Sequence, residues 1–442
     1  MTQLSTRAKI ISTLERIQQG ESLSSLLDPL LNSVNEADKG FTHELLLGTL
    51  RQWWALSRIG ESLIEREVTD KGVWAGLNIG LYQLLYMDTP DYASIGETVE
   101  AVKQLDKGYG AGLINAILRK VQKNPAKFIK KIEKNHSLPN WLAKQLKADW
   151  NDHYAKLGQA LRLPAPIFLR VNAKFCTLNE YTKLLDETGV GYAIEPLGVG
   201  DEATIRLTDN VKITALPHFA DGWVSVQDRH AQLSAHILAS LALDKPINLL
   251  DACTAPGGKL AHFLEVFHVE QLTHVTALDN DAKRLSRVSE NLQRLQLMSD
   301  KVQDKVTLIC DDATSVKADK PFDVIVLDAP CTATGVIRRH PDIALLRSEN
   351  DVVQTVELQG KILANCWANL AEGGYLLYVT CSLLKAENEQ QIERFLANHS
   401  NAQTIDFTLD LPNQLKRPVG YQCLPLNKND GDGFFYSLLK KA

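Results

Sequence analysis

Two cysteines in this sequence directly follow apolar runs of the kind that form buried strands. Cys331 ends the stretch LDAPC and Cys381 ends the stretch YVTC. We expect both thiols at the carboxyl ends of parallel strands, where they would face a shared crevice and could act as nucleophiles. A cysteine is more often a small buried apolar residue, and this interpretation is applied to the others outside the glycine turn described next: Cys176, Cys310, Cys366 and Cys423.

A glycine turn follows an earlier apolar run and leads into a helical pattern, as DACTAPGGK over residues 251–259. The two adjacent glycines allow the backbone to approach a ligand closely, and Pro256 stiffens the turn. A dinucleotide site needs three spaced glycines, and a phosphate loop needs Ser or Thr after Gly-Lys, whereas Leu260 follows Lys259 here. The turn therefore predicts a ligand site of another class.

Aspartates recur at the ends of successive predicted strands. Asp279 ends one strand and can accept hydrogen bonds from both hydroxyls of a ribose. Asp311 and Asp312 end the next strand, where one of them could bind an adenine amino group. A single such Asp is more often the cap of the following helix, but the recurrence favours a cofactor with a ribose, an adenine and a cationic sulfonium. S-adenosylmethionine has these groups and carries no phosphate.

Two thiols beside a sulfonium methyl donor suit methylation at C5 of a cytosine. C5 is a poor nucleophile, and addition of a thiolate to C6 makes it electron-rich. Lys259 or a helix N-terminus could stabilise the thiolate, and Asp328 could hold N3 and the amino group of the base. The alternative for Asp328 is a plain capping role before the Pro-Cys turn, and the residue pattern leaves open which cysteine attacks.

The elements that position these residues fall into three predicted domains. Apolar residues three and four apart predict an all-α domain over residues 1–138. Residues 139–222 predict a linker helix and a small α+β module, and residues 223–442 alternate strands and helices. This alternation predicts an α/β Rossmann-like domain with a mostly parallel sheet.

Composition is that of a globular enzyme of 442 residues, with 45% apolar and 23% charged residues. Residues 1–10 lack the apolar core of a secretory signal, and scattered cysteines favour a reducing cytoplasm. The net charge of −5 argues mildly against nucleic acid. However, residues 119–136 hold seven Lys or Arg against one Glu, and Arg338, Arg339 and His340 form a second cluster. Such runs are usually solvated surface.

Taken together, the motifs resemble the RNA cytosine-C5 methyltransferase family. Within it they are most similar to the bacterial branch that acts on small-subunit (16S) ribosomal RNA. The resemblance covers nearly the whole chain and rests on DACTAPGGK, LDAPCTATGVIRRHPDI, YVTCSLLKAENEQQI and DGFFYSLL, with FADGWVSVQDRHAQL and GLINAILRKV upstream.

The resemblance implies a role for each site residue. Cys381 would attack C6, Cys331 would assist proton removal or product release, and Asp328 and Lys259 would complete the catalytic set. The cofactor residues implied are Cys253, Thr254, Ala255, Pro256, Gly257, Gly258, Lys259, Asp279, Asp312 and Asp328. Asp312 is chosen over Asp311 because the family has Gly-Asp-Ala where this chain has Asp-Asp-Ala.

The resemblance also implies partners. The N-terminal domain would resemble the RNA-binding factor NusB and the middle module would be RRM-like. The basic stretch over 119–136 would contact RNA, and Arg338 and Arg339 would lie near the substrate cytosine. We expect a cytoplasmic monomer that binds 16S rRNA, without a metal or a membrane. Alternatives are the same chemistry on tRNA or 23S rRNA, or a non-catalytic RNA-binding assembly factor, against which the retention of both cysteines argues.

Overall fold

The computed structural model describes residues 4–65, 67–241 and 243–442. Its α-helices, in chain order, are α1 Thr6–Gln18, α2 Leu23–Ser33, α3 Lys39–Glu61, α4 Lys71–Tyr86, α5 Asp91–Gln104, α6 Gly108–Gln122, α7 Pro125–Glu133, α8 Asn140–Asp149, α9 Tyr154–Ala160, α10 Leu178–Thr188, α11 Leu233–Ala239, α12 Gly258–Val266, α13 Ala282–Arg294, α14 Asp300–Gln303, α15 Ile343–Leu346, α16 Glu349–Asn369 and α17 Glu389–Asn398.

The strands form two sheets. They are β1 Phe168–Val171, β2 Tyr192–Pro196, β3 Ala203–Leu207, β4 Val224–Val226, β5 Ile247–Ala252, β6 Leu272–Asp279, β7 Val306–Cys310, β8 Phe322–Asp328, β9 Leu370–Thr380, β10 Ala402–Thr404, β11 Gln414–Arg417, β12 Gly420–Cys423 and β13 Phe434–Lys441.

The chain divides into two compact units, and the first contains Met1–Pro164 together with Ile337–Glu349. Helices α1 to α7 bury apolar faces around a common core that includes Leu45, Ile79 and Ile114. The later segment joins this unit through α15, where the carbonyl of Ala344 accepts a hydrogen bond from the Trp54 indole at 3.1 Å. Among the described residues, no helix combines the length and apolar character needed to cross a membrane.

The second unit contains Ala165–Val336 and Asn350–Ala442 and includes both sheets. The smaller sheet is antiparallel in the order β2-β3-β1-β4, and α10 packs on it around Tyr181. A capping box at Thr177 and Glu180 fixes the start of α10. A buried ion pair between Arg170 on β1 and Glu265 on α12 joins this module to the larger sheet at 2.6 Å.

The larger sheet, as formed by the described residues, has nine strands in the order β11-β12-β13-β9-β8-β5-β6-β7, with β10 paired to β13. The strands from β9 to β7 are parallel, and β13 joins β9 in antiparallel orientation. Helices cover both faces, so the central strands are buried and read as continuous apolar runs.

The predicted fold class is confirmed: a helical domain, a small α+β module and an α/β domain. Differences lie at the sheet edge, where β10, β11 and β12 were not predicted because they are short and partly polar. The helices α8 and α9 group with the first unit. The exact boundaries at 138 and 222 stay predictions.

Candidate active site

The candidate site lies at the carboxyl ends of β5 and β8, which are neighbours in the larger sheet. From β5 the chain continues outward to β6 and β7, whereas from β8 it continues the other way to β9. Reversal of strand order leaves a crevice beyond the strand ends, since the following loops run in opposite directions. The glycine turn and both predicted cysteines follow strands at this edge.

The glycine turn after β5 is held in a conformation that glycine and hydrogen bonds make possible. Gly257 has φ of 89° at the start of α12, and a Cβ there would lie 2.9 Å from Val288 on α13. The backbone N–H of Thr254 donates to the carbonyl of Leu278 at 2.9 Å. The backbone N–H of Ala255 donates to Asp279 Oδ2 at 3.1 Å. The turn is therefore fixed against the end of β6.

A cavity of about 320 Å³ opens beside this turn. Its floor is apolar and includes Leu278, Ala313 and Ile362, and its rim carries four carboxylates: Asp279, Asp311, Asp312 and Asp328. Carboxylates accept hydrogen bonds from hydroxyl and amino groups and attract a cation, whereas they repel phosphate. The lining therefore fits S-adenosylmethionine and disfavours a nucleotide phosphate.

Arg284 shapes the end of the cavity next to Asp279. Its guanidinium donates to Asp279 Oδ1 at 3.3 Å and to the carbonyl of Ala255 at 2.8 Å. The Asp279 side chain is only 1% exposed, so its carboxylate is held in place by the turn and by α13 together. This fixed orientation is what a ribose acceptor requires.

Asp251 lies at the end of β5 beneath the turn and is fully buried. Its Oδ2 accepts a hydrogen bond from the Thr254 hydroxyl at 2.5 Å, and no partner is recorded for its Oδ1. Burial raises the pKa of Asp251 to about 7, against the hydrogen bond from Thr254, and the nearby charge of Asp328 adds to the rise. Asp251 is therefore a protonatable group under the glycine turn.

Lys259 and Asp328 form an ion pair across the crevice. Lys259 Nζ lies 2.6 Å from Asp328 Oδ2, and 5.4 Å from the centre of the Phe434 ring. Burial lowers the pKa of Lys259, but the charge and hydrogen bond of Asp328 outweigh it, so the pKa is raised. Lys259 is therefore positively charged, and its main charge partner is Asp328.

The sulfurs of Cys331 and Cys381 lie 3.4 Å apart, and both line the cavity. The hydrogen bond to Cys381 and then burial raise the pKa of Cys331 well above its usual range, and the charges of Cys381 and Glu387 add to this rise. Cys331 therefore holds its proton more firmly than an ordinary thiol does.

The structure brings many of the sequence-predicted residues into one cavity. Those that line it are Cys253, Ala255, Asp279, Asp312, Asp328, Cys331 and Cys381. Asp311 lines it as well, so the choice of Asp312 as the adenine contact stays a prediction. The other predicted cofactor residues do not line the cavity: Thr254, Pro256, Gly257, Gly258 and Lys259. Thr254 and Lys259 instead bond the aspartates Asp251 and Asp328 next to it.

Two expectations about individual residues are wrong. Cys310 is exposed at the end of β7, whereas Cys176, Cys366 and Cys423 are buried as expected. Arg338 was expected near the substrate base, but it is fully buried in the helical unit and donates to the carbonyl of Pro164 at 3.0 Å. A guanidinium without exposed surface cannot meet RNA.

The basic stretch at the end of the helical unit forms a groove of about 880 Å³ between α6, α7 and the chain after α3. Its lysines are all exposed: Lys120, Lys127, Lys130, Lys131 and Lys134. Phe128 and Leu63 supply apolar surface between them. We call the surface that these five lysines line the lysine groove. A row of exposed cations suits a phosphate backbone.

Sequence reasoning missed two residues of the site. Arg284 lies in the first turn of α13, where it looked like an ordinary surface charge. Glu387 lies six residues after Cys381 and is fully buried, although a Glu is rarely buried. We call the segments that follow β8 and β9, which contain Cys331 and Cys381, the cysteine loops. The motif YVTCSLLKAENEQQI contains Glu387, but its spacing does not show that the Glu387 side chain bonds both loops.

Comparison with known sequences matches three successive parts of the chain to known families. Residues 238–440 match the family described as 16S rRNA methyltransferase RsmB/F, residues 4–123 match the NusB family, and residues 138–214 match the ferredoxin-like domain of RsmF/B-like methyltransferases. Ribosomal RNA small subunit methyltransferase B of Pseudomonas putida is 40% identical over 95% of this chain and 94% of its own. The protein of the same name from Serratia proteamaculans is 39% identical over 96% of each.

Solved structures share the fold. The crystal structure of PH0851 superimposes with a TM-score of 0.75 and 21% identity, covering 98% of this chain and 99% of its own. NSun6 from Pyrococcus horikoshii, solved with SFG, gives a TM-score of 0.57 and 19% identity over 69% of this chain and 98% of its own.

Proposed function

Because this chain belongs to the 16S rRNA methyltransferase RsmB/F family, we propose that it methylates C5 of a cytosine in 16S rRNA through a cysteine-linked intermediate. The observation that supports this most strongly is the pair of sulfurs of Cys331 and Cys381, 3.4 Å apart in the wall of one cavity. S-adenosylmethionine is the cofactor, and when bound it supplies an electrophilic methyl group. Asp279 and Asp312 would hold its ribose and adenine.

Cys381 is the proposed nucleophile. Its sulfur adds to C6 of the cytosine, which forms a C6–S bond and makes C5 electron-rich while N3 takes up a proton. Asp328 is suited to hold N3 and the amino group, since its side chain is 29% exposed and lines the cavity. The ammonium group of Lys259 donates a hydrogen bond to Oδ2 of Asp328 and stabilises the negative charge of that carboxylate.

Cys331 is the proposed partner in release. Once C5 carries the methyl group, solvent takes the C5 proton, the C6–S bond breaks with its electron pair leaving on the sulfur of Cys381, and N3 gives up the proton that it gained, which restores the base. Cys331 keeps its own proton beside Cys381 because the hydrogen bond and burial raise its pKa. A thiol at this position can donate to the departing sulfur of Cys381.

The lysine groove is the proposed contact for the RNA backbone. Its five lysines are all exposed and line one groove, although the chain as a whole has a net charge of −5. Phosphate contacts of this kind supply affinity without sequence information. Recognition of the target cytosine would therefore depend on the cavity of the second unit.

Two cysteine variants test the chemistry on denaturing gels with labelled 16S rRNA. Cys331→Ala should accumulate a covalent protein–RNA adduct, since addition proceeds while release stalls. Cys381→Ala should form no adduct and transfer no methyl group. Cys310→Ala, at an exposed thiol outside the cavity, serves as the control and should behave as the unaltered protein. Adduct only in Cys381→Ala would reverse the two roles.

Bisulfite sequencing of ribosomal RNA from cells with and without the gene tests the substrate. A single protected cytosine in 16S rRNA should become convertible when the gene is absent. Unchanged conversion throughout 16S rRNA would remove that substrate, and a change in 23S rRNA or tRNA would identify the alternative.

A further inference from the structure

Glu387 lies behind the cysteine pair, between the loops that carry the two thiols. It is fully buried, in the short helical turn before α17. Its Oε1 accepts a hydrogen bond from the backbone N–H of Thr332 at 2.7 Å. Its Oε2 accepts hydrogen bonds from the Thr332 hydroxyl at 2.6 Å and from the Ser382 hydroxyl. One carboxylate thus bonds the residues that directly follow Cys331 and Cys381.

The three hydrogen bonds that the Glu387 carboxylate accepts from Thr332 and Ser382 are buried. Hydrogen bonds to a charged carboxylate in a buried site are roughly twice as strong as those between neutral groups. Loss of the acceptor would leave the buried Thr332 N–H without its partner, which costs about 1–3 kcal/mol. The carboxylate therefore constrains the two loops against each other.

The surrounding contacts add to this constraint. The Thr334 hydroxyl lies 3.2 Å from the Ser382 hydroxyl, and the Gly335 N–H donates to the carbonyl of Cys381 at 2.9 Å. The Tyr378 hydroxyl donates to the backbone carbonyl of Glu387 at 2.8 Å, which fixes the Glu387 backbone against β9. The Glu387 side chain bonds both residues that immediately follow the thiols, Thr332 and Ser382.

We propose that Glu387 is a positioning residue that holds the sulfurs of Cys331 and Cys381 in contact, so that the thiol of one can reach the sulfur of the other. For catalysis this rests on the proposed function, because contact between the sulfurs matters there when the C6–S bond breaks. The positioning itself is a property of the free protein and can be measured without a reaction.

Two substitutions separate hydrogen bonding from charge. Glu387→Ala removes every bond to the two loops. Glu387→Gln keeps an acceptor for the Thr332 N–H and places an amide N–H₂ toward the hydroxyls of Thr332 and Ser382, which can accept. The positioning role therefore predicts that Gln retains the sulfur contact and Ala loses it.

Phenylarsine oxide measures the contact in the full chain, because its trivalent arsenic forms two As–S bonds with neighbouring thiols and releases water. Intact mass spectrometry should show fast capture in the unaltered protein and in Glu387→Gln, and at least a roughly tenfold slower capture in Glu387→Ala. Cys331→Ser sets the background from the remaining thiols. Equal capture in Glu387→Ala, or equal loss in both variants, would overturn the proposal.

Glu389 provides a matched control two residues away. It is also buried, but its carboxylate binds Arg417 and Lys385 instead of the cysteine loops. Glu389→Gln should leave arsenical capture unchanged. If Glu387→Ala fails to fold, Ser382→Ala removes the bond on the Cys381 side and should slow capture in a folded chain. Unchanged capture in that variant would also overturn the proposal.

Steady-state kinetics connect the contact to turnover. Glu387→Ala should lower kcat by about 100-fold with little change in KM for RNA, and it should accumulate covalent adduct as Cys331→Ala does. If arsenical capture depends on Glu387 but no variant forms an adduct, the positioning holds and the proposed function fails. If adduct forms and turns over equally with and without Glu387, the positioning proposal fails alone.

Discussion

At the scale of single residues, the site combines groups whose charge depends on their neighbours. Lys259 remains charged because Asp328 outweighs burial, and the hydrogen bond between Cys331 and Cys381, together with burial, raises the pKa of Cys331. Asp251 is the exception, since burial opposes its ionisation and its bond from Thr254 only partly compensates. These three residues follow β5 and β8 or lie at their ends.

The first prediction concerns Asp251 and pH. Its pKa of about 7 in the fold exceeds the value near 3.9 of an unfolded Asp. Between these values the folded chain holds a proton that the unfolded chain has lost, so stability falls as pH rises from about 4 to about 7. Asp251→Asn should remove this fall and gain on the order of 4 kcal/mol at pH 8, as urea unfolding at several pH values would show. Identical pH curves for the two proteins would contradict it.

The second prediction concerns the ion pair of Lys259 and Asp328, whose side chains are 12% and 29% exposed. Asp328→Asn leaves the lysine without its charge partner and should lower the free energy of unfolding by about 2 kcal/mol. It should also lower kcat, because Asp328 faces the base in the proposed site. Asp406→Asn breaks the exposed pair with Lys416 and should have no measurable effect on unfolding. Equal effects of the two substitutions on unfolding would exclude a special role for the partly buried pair of Lys259 and Asp328.

The sequence predicted which residues lie at the site but not which side chains bond to each other there. Cys331, Cys381, Asp279 and Asp328 could be found because each directly follows an apolar run, and strand direction places such residues at one edge. The pairing of Lys259 with Asp328 and the contacts of Glu387 depend on side-chain directions from separate loops. No spacing along one segment encodes these directions.

At the scale of elements, the loops that carry Cys331 and Cys381 approach each other closely at Gly335 and Gly433. A Cβ on Gly335 would lie 2.2 Å from the carbonyl oxygen of Gly433 and 2.7 Å from that of Cys381. Both neighbours are backbone atoms, so they cannot move without shifting the loop. The turn after Cys331 therefore requires glycine for space, even though its φ is not positive.

Gly335→Ala is the third prediction. It should lower the free energy of unfolding by about 1–3 kcal/mol and reduce methyl transfer, because the loop must move away from Cys381. Gly96→Ala on α5 meets open space and should instead stabilise by about 0.5–1 kcal/mol. Thermal unfolding of both variants, with activity measured beside it, would decide. A neutral Gly335→Ala would show that the loop can relax.

The central strands could be predicted and the edge could not, for a physical reason. Strands β5, β6, β8 and β9 are largely buried, so their sequences are mostly apolar between turns. Strands β11 and β12 are four residues each and carry polar residues such as Lys416 and Gln422. Their pairing depends on β13, which lies later in the chain.

At the scale of the whole molecule, the lysine groove carries five exposed lysines although the chain as a whole is acidic. The net charge alone argued mildly against nucleic acid, because an average does not record where charges lie. The groove gives the helical unit a surface that suits a phosphate backbone.

The fourth prediction tests that surface. Replacing Lys127, Lys130, Lys131 and Lys134 by Gln should weaken RNA binding and reduce the slope of log K against log salt by about 3. Turnover at saturating RNA should be unchanged, since the cavity is untouched. Four exposed lysines elsewhere serve as the control of equal charge: Lys144, Lys147, Lys156 and Lys183. Equal loss of affinity in both sets would show non-specific charge attraction alone.

The most direct test of the account uses RNA with 5-fluorocytosine at the target position. Fluorine at C5 cannot leave as a proton does, so the covalent intermediate persists after methyl transfer. Digestion and mass spectrometry of the trapped complex should find the modified nucleotide on the peptide that contains Cys381. Attachment to the peptide that contains Cys331, or no attachment while unmodified RNA is methylated, would contradict it.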